Sequence, residues 1–253
     1  MAARLEFIKL APEVVLDAGC GQGQDLRRLA KRYPTSRLLA VDFAFEAVRV
    51  AARSSGWLQR FRKLISRSSA SVVCADLLRL PLEGKRVDLV WSCLALPWIE
   101  DPAQAFGEFW RVLRPGGLLA FCTYGPDTLK ELRAAFLDGG PQPHVLDFAD
   151  MHDLGDLMVA AGFSAPVVDV DLLTLTYESV DALARDLKVS GQRFASRPAA
   201  TLGPHRWKRV VSGYEKLRQN GRLPATVELV FGHAWKPEDR PKMNFKGIEI
   251  RRR

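Results

Sequence analysis

The chain has 253 residues, a formal net charge of +8 and 47% hydrophobic residues. That length buries a sizeable core and suits one domain with an insertion, and the composition excludes a disordered or fibrous chain. No apolar run approaches the roughly 20 residues that span a bilayer, and Met1–Phe7 lacks a signal-peptide core, so a cytoplasmic protein is expected.

Val14-Val15-Leu16 predicts a short buried strand closed by Asp17. Gly19, Gly21 and Gly23 follow at alternate positions, and Asp25–Leu29 opens a helix. A glycine turn between strand and helix lets backbone approach a ligand closely. Its spacing, D-x-G-x-G-x-G, is not the dinucleotide fingerprint, whose third glycine would fall on Gln24, and it lacks the Gly-Lys-Ser/Thr of a phosphate loop. A pyrophosphate is therefore not the expected ligand. Arg37–Val41 predicts a second strand ending in Asp42, about twenty residues past the glycines, where an acid reaches ribose hydroxyls.

A helix is predicted over Phe45–Ala52, followed by a basic Ser/Arg insertion over residues 53–70. Arg49, Arg53, Arg60, Arg62, Lys63 and Arg67 fall in this region with Trp57 and Phe61 between them and no acid. Such a patch attracts nucleic acid or an acidic protein, whereas the plainer reading is a solvated insertion; nucleic acid is not the expected partner. Val72–Ala75 predicts a third strand, ending in Asp76.

Arg86–Ser92 reads as the fourth strand. Pro102–Leu113 reads as a helix capped by Asp101, with Phe106, Phe109, Trp110 and Leu113 on a core-facing side. Leu118–Thr123 is the next strand. A helix begins at Gly125–Leu129 and runs to about Leu137, and the run Gly139–Pro143 breaks the chain. Helix Asp150–Ala161, strand Val167–Thr176, helices Val180–Val189 and Pro204–Gln219, and strand Thr226–Phe231 complete the order. The pattern predicts an α/β fold: a doubly wound, mostly parallel seven-stranded sheet in a single domain 1–253. A helical insertion at 178–222, placed to lid a site, precedes the last strand.

The four cysteines, Cys20, Cys74, Cys93 and Cys122, form no C-x-x-C pair and read as free thiols in a reducing compartment. His144, Asp150, His152 and Asp153 cluster in sequence without a zinc-like spacing, so no metal is expected. Asp17, Asp42 and Asp76, at three strand ends, line one edge of a parallel sheet. They suit a ligand with hydroxyls, an amine and positive charge and repel one with several phosphates; S-adenosylmethionine has those features.

The pattern resembles class I S-adenosylmethionine-dependent methyltransferases. The resemblance covers about residues 12–123, through Arg86-Val87-Asp88-Leu89-Val90-Trp91-Ser92 and Leu113-Arg114-Pro115-Gly116-Gly117. It implies that Asp17, Gly19, Gly21 and Gly23 hold the methionine end, Asp42 the ribose and Asp76 the adenine amine. Leu77 and Cys93 join the cofactor-binding set by the same resemblance.

Gly125-Pro126-Asp127-Thr128-Leu129-Lys130-Glu131-Leu132-Arg133 resembles the malonyl-acyl-carrier-protein O-methyltransferases of biotin synthesis. So do Pro143–Phe148, Asp150–Gly155, Leu187–Gly191, Leu223–Glu228 and Gly232–Trp235. This implies methyl transfer from S-adenosylmethionine to the free carboxylate of a malonyl thioester on acyl carrier protein. Such an acceptor is already ionised at pH 7, so no catalytic base is required.

Two features depart from that family. About thirteen residues precede the glycine motif where relatives carry a longer segment, and Cys93 and Pro97 stand where relatives often have Asn and His or Gln. The same G-x-D-T-L-x-E-L-R pattern occurs in a mitochondrial complex I assembly factor associated with arginine hydroxylation. That leaves an assembly factor, a protein-modifying enzyme or a cofactor-binding protein without turnover as alternatives. For a malonyl acceptor, Lys130 and Arg133, three apart on one helical face, are candidate carboxylate anchors. Arg185, Lys188, Arg193 and Arg197 are candidates for docking the carrier protein.

Overall fold

The computed structural model describes residues 1–62, 70–138, 146–189 and 203–238. After a 3-10 turn at Ala2–Phe7, the elements are β1 (Val14–Ala18), α1 (Gln24–Arg32), β2 (Arg37–Asp42), α2 (Phe45–Arg62), β3 (Ala70–Cys74), β4 (Val87–Cys93), α3 (Pro102–Val112) and β5 (Leu113–Tyr124). Then follow α4 (Lys130–Asp138), α5 (Met151–Ala160), β6 (Ser164–Tyr177), α6 (Val180–Val189), α7 (Pro204–Glu215) and β7 (Leu223–Trp235). One seven-stranded sheet runs β3-β2-β1-β4-β5-β7-β6. Strands β1 to β5 pair in parallel, and β7 is antiparallel to both β5 and β6. The expected α/β class and strand number hold. Strand order reverses direction between β1 and β4, and this switch point leaves a crevice at the carboxyl ends of the strands.

Local chemistry explains the elements. Strand β1 is buried from Val15 to Ala18, as a strand covered on both faces must be, which is why it reads as an unbroken apolar run. Helix α1 buries Leu26, Leu29 and Ala30 and starts where Gly23 adopts a left-handed conformation. Asp101 caps α3 by accepting the Gln104 N–H at 3.0 Å, and Pro102 sits in its first turn. Phe106 and Phe109 of α3 are fully buried and meet edge to face at 6.3 Å. Each such side chain contributes about 1.5–3 kcal/mol by leaving water. Asp88 ties the amino ends of the central strands together, accepting from Val14 N–H at 2.8 Å and Arg114 at 3.0 Å.

Several boundaries differ from expectation. Helix α2 continues through Ser54-Ser55-Gly56 to Arg62, so the first half of the basic insertion is helical and Lys63–Ser69 lie outside the described residues. The Ser54 hydroxyl bonds the Ala51 carbonyl at 2.9 Å, which removes one competitor to the helix. Arg114–Gly117 is absorbed into β5 as an irregularity: Val87 pairs with Leu113, yet Leu89 pairs with Leu118. Strands β6 and β7 pair from Ser164 opposite Trp235 to Tyr177 opposite Leu223, well beyond their expected ends.

That extension carries the chain past the carboxyl edge of the parallel strands. There α4, α6 and α7 assemble a second apolar cluster from Leu129, Leu132, Phe136, Val180, Leu183, Val210, Tyr214 and Leu223. Asp181 of α6 accepts the Trp207 indole N–H of α7 at 3.3 Å, and the Tyr214 hydroxyl donates to the Pro224 carbonyl at 2.7 Å. The helices before the last strand thus form a cap with a core of its own, on the edge where the three acids end.

Candidate functional site

The glycine turn is fixed by β2. Gly19 and Cys20 N–H groups donate to the Val41 carbonyl at 2.8 and 3.0 Å, and Gly23 N–H donates to Cys20 at 2.8 Å. Gly19 has φ +81°, and a Cβ there would meet the Ala95 methyl at 2.2 Å. Any side chain would push the segment after β4 away from the turn. Gly21, at φ +51°, faces open space: nothing lies within 4 Å of where its Cβ would be. The turn therefore has one packed side and one side left for a ligand.

Asp17 lies beneath that turn, 2% exposed, and its Oδ2 is buried without a hydrogen-bond partner. Burial pushes its carboxyl well above the usual carboxylate range, and the nearby Asp25, Cys93 and Asp42 push the same way. An acceptor so enclosed and so crowded by negative charge fits a ligand that brings N–H donors and a positive charge. Asp42 sits at the end of β2, accepting from Gly21 N–H at 2.7 Å through Oδ2 and from Ala44 N–H at 2.8 Å through Oδ1. Each oxygen retains further acceptor capacity. Asp76 follows β3 and accepts from Leu78 N–H at 2.9 Å. Leu77 is buried, its Cδ1 at 3.6 Å from the Cβ position of Gly19. Cys93 ends β4 opposite Cys122 of β5; the hydrogen bond between the two thiols and burial together raise its pKa. Asp17, the three glycines, Asp42, Leu77 and Cys93 are brought together, with Asp76 on the next strand end.

The structure adds residues that spacing did not single out. Asp25, in the first turn of α1, accepts the Trp91 indole N–H at 2.9 Å and lies near enough to Asp17 to disfavour its charge. Phe43, directly after Asp42, leaves 77% of its surface exposed beside the open face. A large exposed aromatic next to a strand-end acid is a signal that the sequence contains and that the fold makes visible.

Beyond Ala95 the same edge opens into a cleft of about 740 Å³. Leu96–Glu100, Thr123 and Tyr124 of β5, and Leu146–Ala149 wall it. Tyr124 and Phe148 rings lie 5.6 Å apart. Glu100 and Asp147 are the carboxylates among the described lining residues. Lys130 and Arg133 do not line it. Lys130 is exposed and bonded to Asp127 at 2.8 Å. The Arg133 guanidinium donates to the carbonyls of Pro126 at 3.1 Å and Leu146 at 2.9 Å. Arg185 and Lys188 are exposed on α6; Arg193 and Arg197 lie outside the described residues, as does His144. Asp150 caps α5 through the N–H groups of His152 and Asp153, and no group of metal-ligating side chains occurs among the described residues.

A family model described as a methyltransferase domain matches residues 16–121. Among solved structures, a phosphoethanolamine N-methyltransferase of Haemonchus contortus, in complex with S-adenosylhomocysteine, superposes with a TM-score of 0.53 at 20% identity. The match covers 94% of this chain and 52% of that one, and it bears on the fold. Fold, glycine turn and acidic strand ends define an S-adenosylmethionine-dependent methyltransferase. The malonyl-[acyl-carrier protein] O-methyltransferase of Laribacter hongkongensis is 48% identical over 96% of this chain and 82% of its own length. That of Gallionella capsiferriformans is 46% identical over 99% and 85%. The chain belongs to the malonyl-[acyl-carrier protein] O-methyltransferase family.

Proposed function

We propose that this enzyme methylates the free carboxylate of a malonyl thioester carried on acyl carrier protein, an early step of biotin synthesis. The observation that carries the reading is near-complete alignment with relatives of that name, on a chain whose methyl-donor site opens into a roomy cleft. The relationship to an arginine-hydroxylating assembly factor is not favoured by those relatives.

When bound, S-adenosylmethionine supplies an electrophilic methyl group on a sulfonium. Asp17 would accept from its amine end and Asp42 from its ribose hydroxyls, with Asp76 and Leu77 placed to border its adenine. Cys93 and Ala95 shape the passage between turn and cleft. The acceptor needs no proton removed, because a malonyl carboxyl is ionised at neutral pH. The work left to the chain is to hold the carboxylate in line with the methyl group and to strip water from it. The apolar and aromatic lining of the cleft serves to strip the water, and the α6–α7 cap lies on the same edge. Cytoplasmic location belongs to the same reading; what the structure itself gives is that no described helix is long and apolar enough to cross a membrane.

The decisive experiment incubates purified enzyme with labelled S-adenosylmethionine and malonyl-loaded carrier protein, followed by mass spectrometry of the acyl group. The expected product is the alkali-labile malonyl methyl ester. Label on a protein side chain, or none anywhere, would reject the assignment.

A further inference from the structure

We infer that Arg133 is a positioning residue, whose guanidinium clamps one wall of the acceptor cleft instead of binding the acceptor. The inference rests on the cleft being the acceptor site. Arg133 lies in the first turn of α4, and its Nη1 and Nη2 donate to carbonyls of two separate chain segments, Pro126 at 3.1 Å and Leu146 at 2.9 Å. Leu146–Ala149 belongs to no helix or strand, yet it forms a wall of the cleft together with Leu96–Glu100. Leu146 and Phe148 also pack against the cap core, and Phe148 meets Tyr124. A single side chain thus ties cap, turn and cleft wall together.

The chemistry asks for arginine at this place. Two carbonyls on different segments suit a planar fork, whereas an ammonium is a point donor on a flexible stem. Asp147 adds little: its carboxylate stands 3.9 Å from the guanidinium and its side chain is 88% exposed, so solvent screens the pair. Both terminal nitrogens face backbone oxygens, and the side chain is not among those lining the cleft. Nη1 and Nη2 hold the wall, while Nε is buried without a hydrogen-bond partner among the described residues.

The test compares Arg133→Met and Arg133→Lys with wild type. A clamp predicts that KM for the malonyl carrier protein rises about tenfold or more in both, while kcat at saturating acceptor stays within about threefold. Affinity for S-adenosylmethionine by calorimetric titration should stay within about twofold. The neutral methyl-ester product, used as an inhibitor, should weaken in parallel with the substrate, and amide exchange over residues 146–149 should accelerate. If ester inhibition is unchanged while malonyl KM rises, Arg133 binds the acceptor charge and the inference is overturned. Unchanged exchange at 146–149 overturns it as well. Should Arg133→Met fail to fold, Arg133→Lys is read by the same measures. If wild type makes no malonyl ester, the substrate reading fails by itself, and exchange at 146–149 still decides the clamp.

Discussion

At the scale of single residues, the proposed role of the buried Asp17 carboxyl in holding the methyl donor has consequences that pH exposes. Its pKa is raised by burial and by neighbouring acids, and a cationic amine against it would lower that pKa. Binding therefore releases a proton where the pH lies between the lowered and the raised value, and affinity for S-adenosylmethionine should climb with pH across that window. Stability without ligand runs the other way. A raised folded-state pKa means that the folded chain holds a proton the unfolded chain has lost, so stability falls as pH rises through that window. Asp17→Asn should melt higher than wild type at neutral pH in the absence of ligand and bind S-adenosylmethionine at least about tenfold more weakly. Titrations that are flat in pH, with equal affinity in the variant, would remove Asp17 from the site. For Asp42, two charge-assisted bonds to ribose, each worth about 1.5–3 kcal/mol, predict that Asp42→Ala loses at least tenfold in affinity. Calorimetry showing no loss would reject that role. The position of Asp17, Asp42 and Asp76 at strand ends is legible because each closes a short apolar run, the first of them followed at once by the glycine turn. The Trp91–Asp25 bond spans 66 positions, and no local pattern announces it. The wall at Leu146–Ala149 was equally hidden, because the cleft is made by packing.

At the scale of elements, the segment Gly125–Arg133 shows what a family-specific string does physically. Asp127 N–H donates to the Glu228 carboxylate at 2.5 Å, and Thr128 exchanges bonds with the Glu228 backbone at 3.1 Å. Leu129, at φ +56°, donates its N–H to the Thr226 carbonyl at 2.7 Å. Glu131 accepts from both the N–H and the hydroxyl of Thr226. The two most recognisable strings of the second half, 125–133 and 223–228, therefore face each other as one latch between β5, β7 and α4. The sequence showed both strings but not their partnership. The left-handed conformation at Leu129 invites relief by glycine, which offsets about 1–2 kcal/mol of strain. Leu129 is also 2% exposed in the cap core, and losing a buried leucine side chain costs about 2–5 kcal/mol. Packing outweighs strain, so Leu129→Gly should lower the melting temperature by several degrees, at about 2–4 °C per kcal/mol for a chain of this size. A melting temperature at or above that of wild type would show that backbone strain dominates the latch.

At the scale of the whole molecule, an excess of eight positive charges has to be placed somewhere, and the cap takes a notable share. Both acids of α6 are exposed yet engaged: Asp181 accepts from Trp207, and Asp186 accepts the Tyr177 hydroxyl at 2.7 Å. Arg185 and Lys188, three apart on the same helix, are left exposed, and α7 exposes Lys208 with no acid before Glu215. The alternation of strand and helix revealed the sheet and the inserted helices from sequence. It could not show which side of each helix the acids would take, since that depends on Tyr177 and Trp207 arriving from elsewhere. Because α6 and α7 sit on the same edge as the cleft, this cationic face is where we propose that an acidic carrier protein docks to deliver its thioester. Such steering acts through exposed charges and weakens as salt shortens the Debye length from about 10 Å at 0.1 M to about 3 Å at 1 M. Arg185→Glu combined with Lys188→Glu should raise KM for the carrier-linked acceptor about tenfold at low salt. The gap from wild type should close as salt is added, and turnover of a small malonyl thioester should remain unaffected. The comparison separates docking from catalysis, because both acceptors enter the same cleft and only one brings a protein surface. Equal losses on the two acceptors, or a loss indifferent to salt, would place these cations in the fold of the cap and not at an interface.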